Sequence, residues 1–152
     1  MKENLSFQYC QKLVILDDKD RVLLARRKDE ADYNGTYSFI GGKAEVSDGG
    51  ILEAMKREKI EEIGRRALIL VAPYLSFNIH YTKKDGSAMI LPHVYARYVS
   101  GEIDLNEEYS DYKWVPIAEL ASFEPKIETI PEAVAWAKKL QQIIADGDLH
   151  EI

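Results

Sequence analysis

Residues 41–64, GGKAEVSDGGILEAMKREKIEEIG, decide how this chain is read. Positions 51 to 63 lack proline and glycine and are rich in good helix formers, so the spacing predicts a helix there. Gly64 is placed to stop that helix, and Ser47 or Asp48 to cap its start. At about 100° per residue, Glu58, Glu61 and Glu62 fall within roughly a third of the helix circumference. Three carboxylates so close repel one another, each close pair costing a few tenths of a kcal/mol on an exposed helix. A solvated helix face can carry that cost. A hard divalent cation reverses it, because Mg²⁺ takes oxygen ligands from a few carboxylates and from substrate phosphates while keeping several waters. The two glycines and the lysine upstream tilt the reading towards the cation, since glycine lets backbone come close to a ligand or metal.

Outward from this segment the chain alternates strands and helices. FQYCQKLVILDD and RVLLARR, joined by the turn-like DDKD, read as a hairpin over residues 7 to 27. KDEADYNG is a polar loop, and TYSFIGG a short strand leading into the glycines. Beyond the helix, ALILVAPYLSFNIHYT and SAMILPHVYARYVSGE flank the turn signal Asp85-Gly86. NEEYSDYKWVPIAEL reads as an acidic loop, a short strand at Lys113 to Val115 and the start of a helix. PEAVAWAKKLQQIIADG is an amphipathic helix with Pro131 in its first turn and Val134, Ala137, Leu140 and Ile144 on the buried side. Trp136 is expected in the core. Tyr74, Phe77, Tyr81 and Tyr95 are expected to pack within strands, with one or two free to stack on a base. The expected order is β-β-β-α-β-β-β-α-α, a mixed α/β arrangement.

Bulk properties narrow the function classes. The 152 residues suit one domain covering 1–152, long enough for an apolar core without staples. Hydrophobic residues make up 46% and charged residues 30%, the balance of a soluble globular chain. A net charge of −6 argues against a stable nucleic-acid partner or an anionic membrane surface. Such a chain can bind an anionic substrate if a cation or local basic residues stand in the site. Cys10 is the only cysteine, so no internal disulfide forms, and no Cys/His spacing resembles a zinc site. His80, His93 and His150 are scattered and are expected to be surface or packing residues. No apolar run has signal-peptide or membrane-spanning character, which leads to the expectation of a cytoplasmic protein.

Taken together, residues 41–64 resemble the Nudix signature, in which a glycine, a spaced glutamate and an Arg-Glu…Glu-Glu block end in a glycine. Gly42 matches the opening glycine, and Arg57, Glu58, Glu61, Glu62 and Gly64 match the closing block. The resemblance implies the Nudix fold, an α/β/α sandwich around a central mixed sheet. Two departures stand out. Gly42 and Arg57 are one residue further apart than the pattern. Counting forward, the glutamate's place holds Asp48; counting back, Gly49. Lys59 and Arg65 also stand where the pattern has apolar residues. Lys56 and Lys59 lie towards the side that Leu52 and Ile63 should bury, so either the lysines snorkel or Ile60 turns inward.

The resemblance implies a pyrophosphohydrolase that uses Mg²⁺, or Mn²⁺, to cleave the diphosphate of a nucleoside diphosphate linked to another group. A nucleoside triphosphate or related nucleotide is the expected substrate. Glu58, Glu61 and Glu62 would be metal ligands, with the Gly42 carbonyl adding a contact and Glu108 joining from the acidic loop. Arg57, Glu58 and Glu61 would carry catalysis, Arg57 by fixing the carboxylates. Arg27 and Lys43 would contact substrate phosphate. The inserted residue and the missing first glutamate leave a second class open, a silent Nudix domain that binds a nucleotide as a sensor. Monomer and homodimer are equally compatible with the sequence.

Overall fold

Alternation along the first strands builds the molecule in layers. The computed structural model describes residues 1–152. β1 (Phe7–Leu16) and β2 (Arg21–Arg27) are almost wholly buried over their middle residues. Leu13, Ile15, Leu23 and Ala25 enter one core, while Val14, Leu16, Val22 and Leu24 enter a second core on the opposite face. Near-continuous apolar runs of this kind belong to strands covered on both sides.

The covers are the two helices. Met55 and Ile63 of α1 (Ile51–Ile63) fill the first core. Ile130, Ala133, Val134 and Ala137 of α2 (Ile130–Ile143) fill the second. Between them lies one eight-stranded sheet, completed by β3 (Tyr37–Ser38), β4 (Ile40–Lys43), β5 (Leu68–Thr82), β6 (Ala88–Ser100), β7 (Tyr109–Pro116) and β8 (His150–Glu151). β1 runs parallel to β6 and every other pairing is antiparallel, so the sheet is mixed. This is the expected α/β/α sandwich.

Several local expectations need correcting. The strands over residues 7–27 meet only at the turn, where Leu16 faces Val22, and then part. β1 goes on to pair with β4 and β6, and β2 with β3 and β7. TYSFIGG is two short strands rather than one. The strand expected at Lys113–Val115 is longer, Tyr109–Pro116. The helix start after it is only a 3-10 turn, Ile117–Glu119. β8 was not expected; it pairs with Leu70 and Val71 of β5 and delivers Ile152 into the first core.

Within α1, Lys56 reaches solvent, but Lys59 is buried rather than snorkelling, and Ile60 is only half-buried. Lys59 is 2% exposed, and its Nζ donates to the Gly64 carbonyl at 3.2 Å. The helix has no side-chain cap at its start; Gly50 occupies that position, because Asp48 is engaged elsewhere. Trp136 is not in the core. It is 41% exposed and stacks on Phe77 with ring centroids 5.6 Å apart. Tyr95 is buried, but Tyr74 and Tyr81 are exposed. His93 is buried as a packing residue, edge-on to Phe39.

Candidate active site

The site forms where β4 ends against α1. Gly41 has φ of 136°, and a Cβ there would lie 2.1 Å from the Gln11 carbonyl, so only glycine fits. Its N–H then donates to Glu62 Oε2 at 2.8 Å. A Cβ on Gly42 would meet the Glu58 carboxylate at 2.5 to 2.6 Å. The two glycines therefore let a strand end press directly against two carboxylates spaced one helical turn apart.

Arg57 braces the cluster. Its Nε and Nη2 donate to Asp48 at 2.6 and 3.0 Å, in a two-pronged contact. Nη1 donates to Glu58 at 3.0 Å and to Glu61 at 3.2 Å. Nη2 also reaches the Lys43 carbonyl at 3.0 Å. Paired charged hydrogen bonds of this type fix orientation as well as adding energy. Asp48 thus takes the place reached by counting forward from Gly42, and the extra residue lies after it. Gly49 absorbs the extra residue in a left-handed turn at φ 81°, with nothing within 4 Å of where its Cβ would be.

Burial sets the electrostatics. Burial pushes Glu62 up to about 8, against the Gly41 hydrogen bond and the Lys12 charge, with Glu108 and Glu58 adding to the rise. Burial also raises Glu58, opposed by its bond to Arg57. Asp48 moves the other way, held below the usual carboxylate range by Arg57. Tyr109 is buried against Glu62 and is raised by burial and by the Glu62 and Glu108 charges. Glu61 has a half-exposed side chain.

Glu108 reaches this neighbourhood through the acidic loop. Asn106 N–H donates to the Glu62 carbonyl at 3.2 Å, and Asp104 N–H to the Ile63 carbonyl at 2.9 Å, which ties the loop to the end of α1. The Glu108 carbonyl accepts from Lys28 N–H at 3.0 Å, next to Arg27. Its side chain is exposed, and its charge is felt by both Glu58 and Glu62. The carboxylates do not close into a ready-made cage of three.

A cleft of about 880 Å³ reaches the cluster at Lys43, without being lined by Glu58, Glu61, Glu62 or Glu108. Arg27 and Lys43, both expected to contact phosphate, line it with Lys12, Lys83 and Lys84, among the acidic Glu30, Asp32, Asp85 and Glu128. Arg27 pairs with Glu30 at 3.3 Å, and its buried Nε has no partner. Lys43 links cleft and cluster, since its side chain lines the one and its carbonyl bonds Arg57 of the other. Sequence reading missed Gly41, Lys12 and the hairpin-tip lysines. The doubled glycine was a signal for the first; the lysines carried none, because strand pairing alone brings them to the cleft.

The braced carboxylates of α1 thus stand next to a cleft that mixes five cations with four carboxylates. The NUDIX domain model matches residues 10–137. A nucleoside triphosphatase NudI from Escherichia coli O17:K52:H18 is 27% identical over 123 residues, covering 76% of this chain and 86% of the relative. A MutT protein from Methanosarcina mazei Go1 superposes with a TM-score of 0.72 at 19% identity, covering 93% of this chain and 99% of that one. A C. elegans Ap4A hydrolase superposes at 0.70 with 14% identity, covering 90% and 99%. The chain belongs to the Nudix family, and so to the hydrolases that act on diphosphate bonds.

Proposed function

We propose that this chain is a cytoplasmic pyrophosphohydrolase, folded as one domain over residues 1–152, that uses Mg²⁺ or Mn²⁺ to cleave a nucleoside triphosphate or related nucleotide. The observation that carries the proposal is the Arg57 hub, which joins Asp48, Glu58, Glu61 and the Lys43 carbonyl next to a cleft that Arg27 and Lys43 line. The residues fit a divalent cation. Two buried carboxylates, Glu58 and Glu62, have pKa values raised by burial, and a cation would offset that cost. Glu58, Glu61, Glu62, Glu108 and the Gly42 carbonyl would hold it. Bound there, the metal supplies Lewis-acid charge neutralisation and a template for the phosphates.

The chain's own groups supply the rest. Arg27 and Lys43 bind the phosphate chain from the cleft and orient it. Glu58 takes the proton of the attacking water. Arg57 donates to Glu58 Oε1 and so fixes the orientation of the carboxylate. The silent-sensor alternative rests on the inserted residue and the missing first glutamate; the two-pronged contact of Asp48 with Arg57 argues against the second of these grounds. The nucleoside triphosphatase name of the Escherichia coli relative supports the substrate class.

The test is product identity over a panel of nucleoside triphosphates, nucleotide sugars, dinucleoside polyphosphates and coenzyme A derivatives, with and without Mg²⁺. Metal-dependent release of nucleoside monophosphate and pyrophosphate from triphosphates is expected. Turnover confined to another group would overturn the substrate class, and tight binding without turnover would favour a sensor.

A further inference from the structure

Lys59 and Arg65, two positions where the sequence departs from the Nudix pattern, come together in space. With Lys56 they line a second cleft of about 410 Å³, floored by Ala67, Leu68 and Ile152. By helical spacing, Lys56 and Lys59 project from the side of α1 turned away from Arg57, Glu58 and Glu61. This cleft is therefore separate from the catalytic one, and the two share no lining residue.

Its electrostatics are unbalanced. Three cations face one side-chain carboxylate, Glu151, in a chain whose net charge is −6. The ion pairs of the molecule all lie elsewhere. Lys59 is 2% exposed, yet its ammonium makes one hydrogen bond, to the Gly64 carbonyl. An ammonium has three donors, so two are left for a ligand. Burying a cation beside two like charges is costly unless an anion accompanies it.

We infer that this cleft is an anion site for a tetrahedral dianion of the phosphate class, with Lys59 at its floor and Lys56 and Arg65 at its rim. Its volume is about half that of the catalytic cleft, room for a phosphate group with a small substituent. The shared chemistry is the phosphate dianion, free or as a phosphomonoester.

The test is calorimetric titration of the full chain with inorganic phosphate in excess chelator, repeated with phenyl phosphate. An Arg27→Ala/Lys43→Ala variant removes phosphate binding at the catalytic cleft and should retain one binding event, the one assigned to this second cleft. Adding Lys56→Ala/Arg65→Ala to that background should weaken it at least about tenfold. Both side chains are exposed, so that variant should fold. Should it melt early, Lys56→Gln alone gives the same comparison. Tighter phenyl phosphate would identify a phosphomonoester, and equal binding the free ion; either supports the site. No binding by Arg27→Ala/Lys43→Ala at about ten millimolar, or binding in that background undiminished by adding Lys56→Ala/Arg65→Ala, would overturn it.

Discussion

Glu62 shows how one buried carboxylate ties stability to chemistry. Its pKa in the fold, about 8, lies above the ordinary glutamate value of 4.5. Between those values the folded chain holds a proton that the unfolded chain has released, so stability falls as pH rises through that window. Metal-free protein should therefore melt at lower temperature at pH 8 than at pH 5 from this group's contribution, at up to about 1.4 kcal/mol per pH unit. Glu62→Gln should flatten that part of the melting profile, and an unchanged slope would show that Glu62 is not the cause. Arg57 makes the second prediction at this scale. Arg57→Lys keeps the charge but loses the two-pronged contact to Asp48. Steady-state kinetics should show kcat down by roughly 10–100-fold, the usual cost of losing an orienting partner, with KM little changed. The register of Arg57 with its glutamates was legible in the sequence. Asp48 was not, because a one-residue insertion made two counts possible, and only the left-handed turn at Gly49 decides between them.

Elements position these residues, and the glycines show how strictly. Gly41 and Gly49 both have positive φ, but their surroundings differ. Gly49→Ala meets nothing and should cost about 1 kcal/mol, from backbone strain alone. Gly41→Ala drives a Cβ into the Gln11 carbonyl and should cost about 3 kcal/mol or more, or prevent folding. Denaturant midpoints of the two variants check the ordering, and equal losses would contradict it. The central helix and the β5–β6 hairpin were legible because their signals are local: helix formers bounded by Gly64, and the Asp85-Gly86 turn. Pairing between distant segments was not. The residues of β1 and β2 fit a hairpin, but β1 gains more from β4 and β6, and nothing local encodes that choice. Likewise Trp136 lies on α2 three residues from Ala133, which is buried, yet it stacks outside the core on Phe77.

At the scale of the whole molecule, the proposed function sets a polyanionic substrate against a chain of net charge −6, so the placement of its cations matters. Lys12, Arg27, Lys43, Lys83 and Lys84 gather at one cleft through the fold, although they are scattered in sequence. Arg27→Ala and Lys43→Ala should each raise KM for a nucleotide more than they lower kcat, and the wild-type KM should rise with ionic strength as these charges are screened. A fall in kcat alone would place them in the chemical step instead. No helix is long and apolar enough to cross a membrane. In the proposed function the carboxylates of α1, set against the glycines of β4, gather a metal for diphosphate hydrolysis. Its most direct test is Mn²⁺ affinity by calorimetry alongside nucleotide turnover, on the same samples of wild type and Glu62→Gln. Weakened metal binding with turnover reduced by about 100-fold or more is the predicted result; unchanged affinity and turnover in Glu62→Gln would contradict it.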